Sequence, residues 1–525
     1  MSAAVTSRIA RSTGVLALAI GLSRVLGFIR DLLMAQLFGT LAAAQAFVVA
    51  FRLPNLLRDL VAEGAVTSAF VPVLSWYRAK GASEEFWRLS QTLLARLLLV
   101  LCAIGIIGSF AAGLIVRLIA PGFTGDPEKF ALTVRLTRIL FPFITLVGLW
   151  AYFMGLLNSL RHFAVPALGP AILNLAMIIA CVWVVPHVSP GVLGLAGAVL
   201  LGGVIQLAIQ LPVAHRLGFR WRLRWTHEGS GRITALLGPR MVGSAVYQTS
   251  VLLHTALASL SAVVGEGAVA ALYFANRLVQ LPLALFGTAS AQASLPALSE
   301  QAAHDDLDGF RATLLSVIRM VGFVILPASA GLMVLAFPIV GGLFERGAFD
   351  HRSTVMTAQA LICYCPGLLA YSISKIFTGA FYALHDTWTP VRLAIEALVM
   401  NLLASLLLMW PLQVSGLALA AAITNSLNAY RLTRCLERRL KAPLLSPVRG
   451  ALGRMLAASA IMAAGCQAVW TAGHFDSHPL IGLPITIVLG LLLYGGACAI
   501  FRVKELSTAL QWASRLPLLQ PSASE

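Results

Sequence analysis

The chain has 525 residues, of which 59% are hydrophobic and only 11% charged, and its mean hydropathy is +0.86. Soluble domains carry about 25% charged residues. The composition therefore excludes a soluble enzyme, a disordered chain and a secreted disulfide scaffold. Continuous apolar runs also exclude an outer-membrane barrel, whose strands alternate in polarity. The net charge of +17 does not indicate nucleic-acid binding, because the basic residues fall between apolar runs. We predict an all-α polytopic membrane protein.

Fourteen apolar runs are long enough for membrane helices, since a span needs about 20 residues. The runs cover residues 13–38, 41–75, 89–119, 130–158, 166–186, 190–214, 233–263, 267–298, 310–344, 353–382, 389–411, 413–433, 450–472 and 479–501. The second and ninth runs exceed the length of one span, so we expect those helices to be tilted, bent or extended beyond the bilayer.

The Lys and Arg residues in the connections predict the orientation, because such residues concentrate on the cytoplasmic side. With the N-terminus in the cytoplasm, 21 of them lie in cytoplasmic segments. Only Lys129, Arg346 and Arg352 lie in the opposite connections. We therefore predict that both termini are cytoplasmic and that the number of spans is even.

An internal repeat relates two parts of the sequence at an offset of 224 residues. Pro142, Gly155, Pro166 and Pro72 correspond to Pro366, Gly379, Pro390 and Pro296. The offset covers six predicted helices, so the two halves have the same orientation, related by an axis along the membrane normal. This pattern predicts two parallel six-helix lobes with a cleft between them, which is where a transporter holds its substrate.

The repeat predicts three regions in the chain. Residues 1–230 form an N-terminal lobe with helices 1–6, and residues 231–440 form a C-terminal lobe with helices 7–12. Residues 441–525 add helices 13 and 14 and a cytoplasmic tail. Within the lobes, we predict structural or gating roles for the equivalent prolines Pro166 and Pro390.

Charged residues inside predicted spans indicate the chemistry of the cleft, because they are costly in a membrane and face a cavity or a partner. Four cations lie on four different spans: Arg24, Arg58, Arg277 and Lys375. Fewer carboxylates accompany them, so the surplus of positive charge predicts a central cationic cavity for an anionic substrate. A phosphorylated substrate fits best, because the planar guanidinium binds two phosphate oxygens at once.

The acidic residues of the first two spans are Asp31, Asp59 and Glu63. Arg24 and Asp31 are seven residues apart and share one helix face, whereas Arg30 is rotated by about 100° from Asp31. Asn55 lies on one polar stripe with Arg58 and Asp59. These acids either line the cavity or pair with neighbouring cations and lock helices together, and both roles stay open.

The sequence contains no nucleotide-binding Gly-x-x-x-x-Gly-Lys loop, no His-Glu-x-x-His and no Gly-x-Ser-x-Gly motif. We therefore expect a transporter without catalytic residues, metal site or cofactor. Its energy would come from a gradient of a coupling ion, the membrane potential or consumption of the substrate.

Motifs in the first two helices resemble those of the MurJ (MviN) lipid II flippases, which belong to a larger superfamily with drug and polysaccharide exporters. The motifs are Ser23-Arg-Val-Leu-Gly-Phe-Ile-Arg-Asp31, Phe51-Arg-Leu-Pro-Asn-Leu-Leu-Arg58, Ala62-Glu-Gly-Ala65 and Ala69-Phe-Val-Pro72. Ala275-Asn-Arg-Leu278, Leu295-Pro296 and Gly379-Ala-Phe-Tyr382 with Thr389-Pro390 extend the resemblance through helix 12.

The resemblance implies a substrate, a location and a set of binding residues. The substrate would be lipid II, the undecaprenyl-diphosphate-linked peptidoglycan precursor, moved across the bacterial inner membrane for cell-wall synthesis. The partners would be membrane lipids and the peptidoglycan synthesis machinery, and helices 13 and 14 would form a groove for the lipid tail. Cavity residues of the family match Arg24, Arg30, Arg58, Arg277, Lys375 and Asn55, and Glu63 also matches a motif position.

Some family members carry acidic residues where this chain has Gln45, Asn276 and Gln280, so the cavity predicted here is less acidic. The resemblance does not place the sodium ligands proposed in some members of the family, although Asp386 is a candidate. Two other transport functions stay open: an exporter of another lipid-linked oligosaccharide, such as an O-antigen unit, and a multidrug antiporter. A carrier of organic cations would need carboxylates in the cleft, which disfavours the antiporter.

Overall fold

A computed structural model describes residues 3–58, 70–222, 224–231, 246, 248–475 and 479–514. These residues form helices joined by short connections, and no strand occurs among them. The prediction of an all-α fold is thus confirmed. Long runs of apolar residues, which satisfy their backbone hydrogen bonds within the helix, account for this architecture in a membrane.

Among the described residues, twelve helices lie before residue 265. They are α1 (Ala3–Phe38), α2 (Ala42–Arg58), α3 (Val71–Ala79), α4 (Ser83–Phe110), α5 (Ala112–Ile119), α6 (Pro127–Leu140), α7 (Phe143–Ser159), α8 (Ala164–Ala167), α9 (Gly169–Trp183), α10 (Val192–Arg216), α11 (residues 248–258) and α12 (Ser261–Val264).

Ten further helices follow in the part of the chain that is described after residue 265. They are α13 (Ala268–Pro282), α14 (Ala289–Ala303), α15 (Leu307–Val334), α16 (Ala336–Phe344), α17 (His351–Tyr364), α18 (Leu368–Ala383), α19 (Trp388–Leu440), α20 (Leu445–Ala472), α21 (Pro479–Ile500) and α22 (Lys504–Ser514). A π-helical turn, Leu283–Thr288, joins α13 to α14.

By length and composition, ten helical segments of the described chain are able to cross a membrane. One of them, α19, has 53 residues and is broken at Gln413, where φ is 50° and ψ is −130°. This break confirms the two separate helices predicted on either side of residue 412. The total of fourteen spans stays a prediction, because parts of runs 41–75 and 233–263 lie outside the described residues.

The chain divides into two compact units. One comprises residues 1–270 and 346–349, and the other comprises residues 271–345 and 350–525. The boundaries predicted at residues 230 and 440 separate the two copies of the repeat and the added helices, and they are not boundaries between compact units. They stay a prediction.

Backbone features at matching positions support the repeat. Asp126 caps α6 by accepting a hydrogen bond from the backbone N–H of Lys129, and Asp350, 224 residues later, caps α17 by accepting one from that of Ser353. A carboxylate in this position satisfies an N–H group that has no partner within the helix. The two parts of the chain therefore begin equivalent helices in the same way.

The left-handed backbone positions also repeat at this offset. Gly81 and Asp305 both have positive φ, and so do Arg161 and His385, with φ of 63° and 58° for the last two. Such angles are uncommon for residues other than glycine, so their recurrence at the same places indicates that the same chain reversals occur in both parts of the sequence.

Prolines interrupt the helices at equivalent places. Pro142 lies between α6 and α7, and Pro366 lies in a short 3-10 turn between α17 and α18. Proline lacks the N–H that a continuous helix requires and clashes with the preceding turn. The predicted spans 130–158 and 353–382 therefore each consist of two helical segments joined at the proline.

Helices α20 and α21, which lie outside the repeat, pack against α15 in the second unit. Met455, Met462 and Tyr494 belong to one buried apolar cluster there, and Phe323 of α15 packs against it. The Tyr494 hydroxyl donates a hydrogen bond to the Phe323 carbonyl at 2.8 Å. Sulfur, aromatic and small side chains fill this interface closely, which fixes the added pair of helices to the second unit.

Candidate functional site

In α1, the predicted site residues separate into one exposed cation and one buried pair. Arg24 is exposed, whereas Arg30 and Asp31 are 8% and 2% exposed. The Arg30 guanidinium lies 2.7 Å from the Asp31 carboxylate. Arg24 and Asp31 share a face by spacing, but one side chain is exposed and the other is buried, so the two have different surroundings. Asp31 thus pairs with a neighbour on its own helix, and its structural or gating role stays a prediction.

Asn174 of α9 completes this buried group. Its side-chain oxygen accepts a hydrogen bond from Arg30 at 2.8 Å, and its amide donates to the Ser23 carbonyl at 2.9 Å. A Cβ atom on Gly27 would come within 3.2 Å of the same amide, so glycine gives Asn174 room at α1. Sequence reasoning missed Asn174, although an asparagine within an apolar run is a visible signal of a buried polar contact. Whether Arg30 binds substrate stays a prediction.

In α2, the predicted polar stripe is described only in part. Arg52 donates a hydrogen bond from Nε to the hydroxyl of Thr255 in α11 at 3.2 Å. Asn55 and Arg58 are half-buried, and Arg58 is the last described residue of α2. The other two members of the predicted set, Asp59 and Glu63, lie outside the described residues.

In the second unit, the two predicted cations each lie over a tyrosine one helical turn earlier. Arg277 of α13 donates to the Tyr273 hydroxyl at 2.9 Å, and its Cζ lies 4.8 Å from the centre of that ring. Lys375 of α18 is exposed, and its Nζ lies 5.5 Å from the ring centre of Tyr371. Aromatic faces attract cations and hold them without neutralising their charge. The i to i+4 spacing of both pairs was readable in the sequence but was missed.

The two prolines predicted as structural or gating positions are both buried. Pro166 is in the short helix α8, and Pro390 is in the first turn of α19. Proline is well tolerated in a first turn, where its missing N–H has no partner within the helix. Both residues thus lie close to the start of a membrane helix, and a gating role stays a prediction.

Asp386 has contacts that suit a helix cap. Its carboxylate accepts hydrogen bonds from the backbone N–H and the hydroxyl of Thr389 at 3.0 and 2.8 Å, and from Arg439 at 2.9 Å. Burial raises the pKa of Asp386, but the hydrogen bonds from Thr389 and the Arg439 charge together lower it below its usual value. In the described parts of the chain, no cluster of three His, Cys, Asp or Glu side chains is arranged to hold a metal ion.

An ion pair that sequence reasoning missed lies in the first unit. The Lys129 side chain is 2% exposed, and its Nζ lies 2.6 Å from the Glu266 carboxylate. Gln45, which is buried, donates to the same carboxylate at 2.7 Å and to the Thr40 carbonyl at 3.1 Å. The Gln45 amide thus supports the Glu266 carboxylate together with Lys129.

These features define a multi-pass helical membrane protein with cations on its helices. A family model described as lipid II flippase MurJ matches residues 34–485. A probable lipid II flippase MurJ of Vibrio cholerae is 34% identical over 510 residues, covering 93% of this chain and 96% of the relative. The lipid II flippase MurJ of Burkholderia cenocepacia is 36% identical over 468 residues, covering 87% and 88%. The chain belongs to the lipid II flippase MurJ family, which consists of transporters and not enzymes.

Solved structures agree with this assignment. A lipid II flippase MurJ in an inward closed conformation superposes with a TM-score of 0.78 at 25% identity, covering 93% of this chain and 98% of that one. An inward-facing multidrug transporter of the MATE family has a TM-score of 0.68 at 15% identity, covering 81% and 98%. The second similarity shows a shared fold only, so it gives no support to a multidrug function.

Proposed function

We propose that this protein flips lipid II from the cytoplasmic to the outer leaflet of the bacterial inner membrane, as a step of peptidoglycan synthesis. Membership of the flippase family, with relatives matched over most of their length, supports the substrate. Lipid II carries a diphosphate between its polyprenyl tail and its head group. We propose that cations in the spans receive this diphosphate, while the tail stays in lipid, and that alternating access releases the head group outside.

The exposure of Arg24 on a membrane helix is the observation that carries this proposal. It is exposed in α1, 14 residues before the end of the helix at Phe38, and the neighbouring Leu22 and Val25 are also exposed. Arg24 makes no ion pair with any of the described residues. A lone cation among exposed apolar side chains is costly in a membrane and needs an anion. The substrate diphosphate would supply that anion and lose part of its own desolvation cost.

The membrane potential is a sufficient energy source in this proposal. An anion that leaves a negative interior gains about 2.3 kcal/mol per charge and per 100 mV. A coupling ion is the alternative, and Asp386 is a poor candidate for its ligand because Thr389 and Arg439 already bind that carboxylate. We further propose that both termini are cytoplasmic, as the distribution of Lys and Arg indicates.

The test uses cells in which this protein is rapidly inactivated. An enzyme that cleaves the lipid II head group is added from outside, and the accessible fraction of lipid II is measured. We expect lipid II to accumulate and to become inaccessible within minutes. If lipid II stays accessible while another lipid-linked glycan is trapped, the substrate assignment is wrong. If no glycan is trapped in cells without a second exporter, the transport function is wrong.

Variants of Arg24 test the diphosphate contact in the same assay. Arg24→Ala should abolish flipping at normal membrane levels of protein, and Arg24→Lys should retain part of it, because Lys keeps the charge but loses the planar fork. Arg222→Ala is the matched control, since Arg222 is an exposed cation in a connection. Full flipping by Arg24→Ala would contradict the role of this residue.

A further inference from the structure

A cationic pocket in the second unit lies apart from all the predicted site residues. It is a cavity of about 230 Å³ between α15, the start of α20 and the start of α22. Its charged lining consists of Arg319, Arg454, Lys504 and one carboxylate, Glu505. The sum of these charges is +2, and the described residues provide no ion pair for any of the three cations.

Backbone carbonyl groups hold the two guanidinium groups in place. Arg319 donates to the Pro447 carbonyl at 3.2 Å. Arg454 donates to the carbonyls of Gly450 and Phe501 at 3.3 and 3.4 Å. Neutral acceptors orient a guanidinium but leave its full charge in place, so the pocket keeps a positive potential. Arginine in this state is suited to phosphate.

The third side of the pocket is fixed by apolar packing. Val503, just before α22, is 5% exposed and belongs to the buried cluster of α20 and α21, and Leu506 packs against the same cluster. These contacts place the first turn of α22 at the pocket, where Lys504 begins the helix.

Apolar side chains beside the pocket indicate where its ligand comes from. Leu456, two residues after Arg454, is 58% exposed, and Ile500, the last residue of α21, is 79% exposed. In a membrane protein such side chains contact acyl chains. The pocket therefore lies at the level where apolar surface gives way to basic surface, and basic pockets between membrane helices bind anionic lipid head groups.

We propose that this pocket binds the phosphate of an anionic membrane phospholipid whose acyl chains lie along Leu456 and Ile500. The bound lipid would join α15, α20 and α22 through Arg319, Arg454 and Lys504. The cations of this site are not those assigned to lipid II, and its test measures phospholipid binding without any readout of flipping.

The experiment measures lipid binding to the full-length purified protein by native mass spectrometry. The protein is delipidated and titrated with phosphatidylglycerol, with phosphatidylethanolamine and with inorganic phosphate. We expect one phosphatidylglycerol to bind at least tenfold more tightly than phosphatidylethanolamine. In the double variant Arg454→Gln with Lys504→Gln, the ratio of the two affinities should fall by at least about tenfold. Lys504→Gln alone, which alters only an exposed side chain, should weaken it several-fold.

Arg449→Gln is the matched control, since Arg449 is an exposed cation on the same helix that does not line the pocket. It should bind phosphatidylglycerol like the unaltered protein. Equal losses in the control and the pocket variants would show a general charge effect and overturn the proposal. Binding of inorganic phosphate with the same dependence on Arg454, and without a preference for phosphatidylglycerol, would show that the site takes free phosphate and not a lipid.

Discussion

The ammonium group of Lys129 lies 2.6 Å from the Glu266 carboxylate and 4.2 Å from the centre of the Phe123 ring. The two partners differ in exposure, since the Lys129 side chain is 2% exposed and that of Glu266 is 50% exposed. The cost of losing either partner therefore depends on which charge is left behind.

Glu266→Gln should destabilise the protein more than Lys129→Met does. The glutamine variant leaves a buried ammonium without its counter-charge, whereas the methionine variant leaves a carboxylate that water reaches. We expect a loss of about 2–3 kcal/mol for the first and about 1 kcal/mol for the second. Thermal unfolding of the detergent-solubilised protein measures both, and the double variant should recover part of the loss. The reverse order would contradict the structure.

The same pair predicts a dependence of stability on pH. Burial raises the pKa of Glu266, but hydrogen bonds from Lys129 and Gln45 together with the Lys129 charge lower it below the usual 4.5. A lowered pKa means that the stabilisation is complete above the unfolded-state pKa and is lost as the pH falls through the folded-state pKa. The stability difference between the unaltered protein and Glu266→Gln should thus shrink below about pH 4.5. A constant difference down to pH 3 would refute this.

The buried pair in α1 predicts a separation of structural and functional residues. Asp31→Asn removes the negative charge that lies 2.7 Å from the buried Arg30 guanidinium and should cost about 3–5 kcal/mol. Arg24→Gln changes an exposed side chain and should leave the unfolding temperature within about 1 °C. The comparison is made on purified protein and on membrane levels in cells. A stable Asp31→Asn variant that is inactive in flipping would show that Asp31 acts on the substrate and not on the fold.

Much of the fold was predictable because its signals are local. Apolar length predicted the spans, and the prolines at one offset predicted the repeat that the caps of Asp126 and Asp350 support. The break near residue 412 also agrees with the prediction. The segmentation of spans at Pro142 and Pro366 was visible in principle, but run length alone does not reveal where a helix is interrupted.

The partners of the charged residues were much less predictable. Asn174 is 144 residues from Arg30, and Glu266 is 137 residues from Lys129, so their contacts depend on tertiary packing that no local pattern encodes. The Tyr273 contact is different, because a tyrosine four residues before Arg277 is a local signal on a helix face. Exposure of Arg24 likewise depends on how far neighbouring helices cover α1.

Tyr273 predicts a graded effect on flipping. Tyr273→Phe keeps the ring beneath Arg277 and loses the hydrogen bond of 2.9 Å, whereas Tyr273→Ala loses both. A cation over an aromatic ring gains about 0.5–2 kcal/mol. We expect flipping to fall severalfold at most for Phe and by about tenfold or more for Ala, in the external-cleavage assay at equal protein levels. Equal activity of the two variants would show that the ring does not position Arg277.

The helix caps Asp126 and Asp350, at equivalent positions of the repeat, predict different losses of stability when each is removed. Asp126 accepts one hydrogen bond from its first turn, whereas Asp350 accepts two, from the N–H and the hydroxyl of Ser353. These bonds lower the pKa of Asp350, with the hydroxyl as the largest cause. Replacing a capping aspartate by alanine costs about 1 kcal/mol. Asp350→Ala should therefore destabilise the protein more than Asp126→Ala, and Ser353→Ala should reduce the difference. If Asp126→Ala were the more damaging, the cap strengths seen in the structure would be wrong.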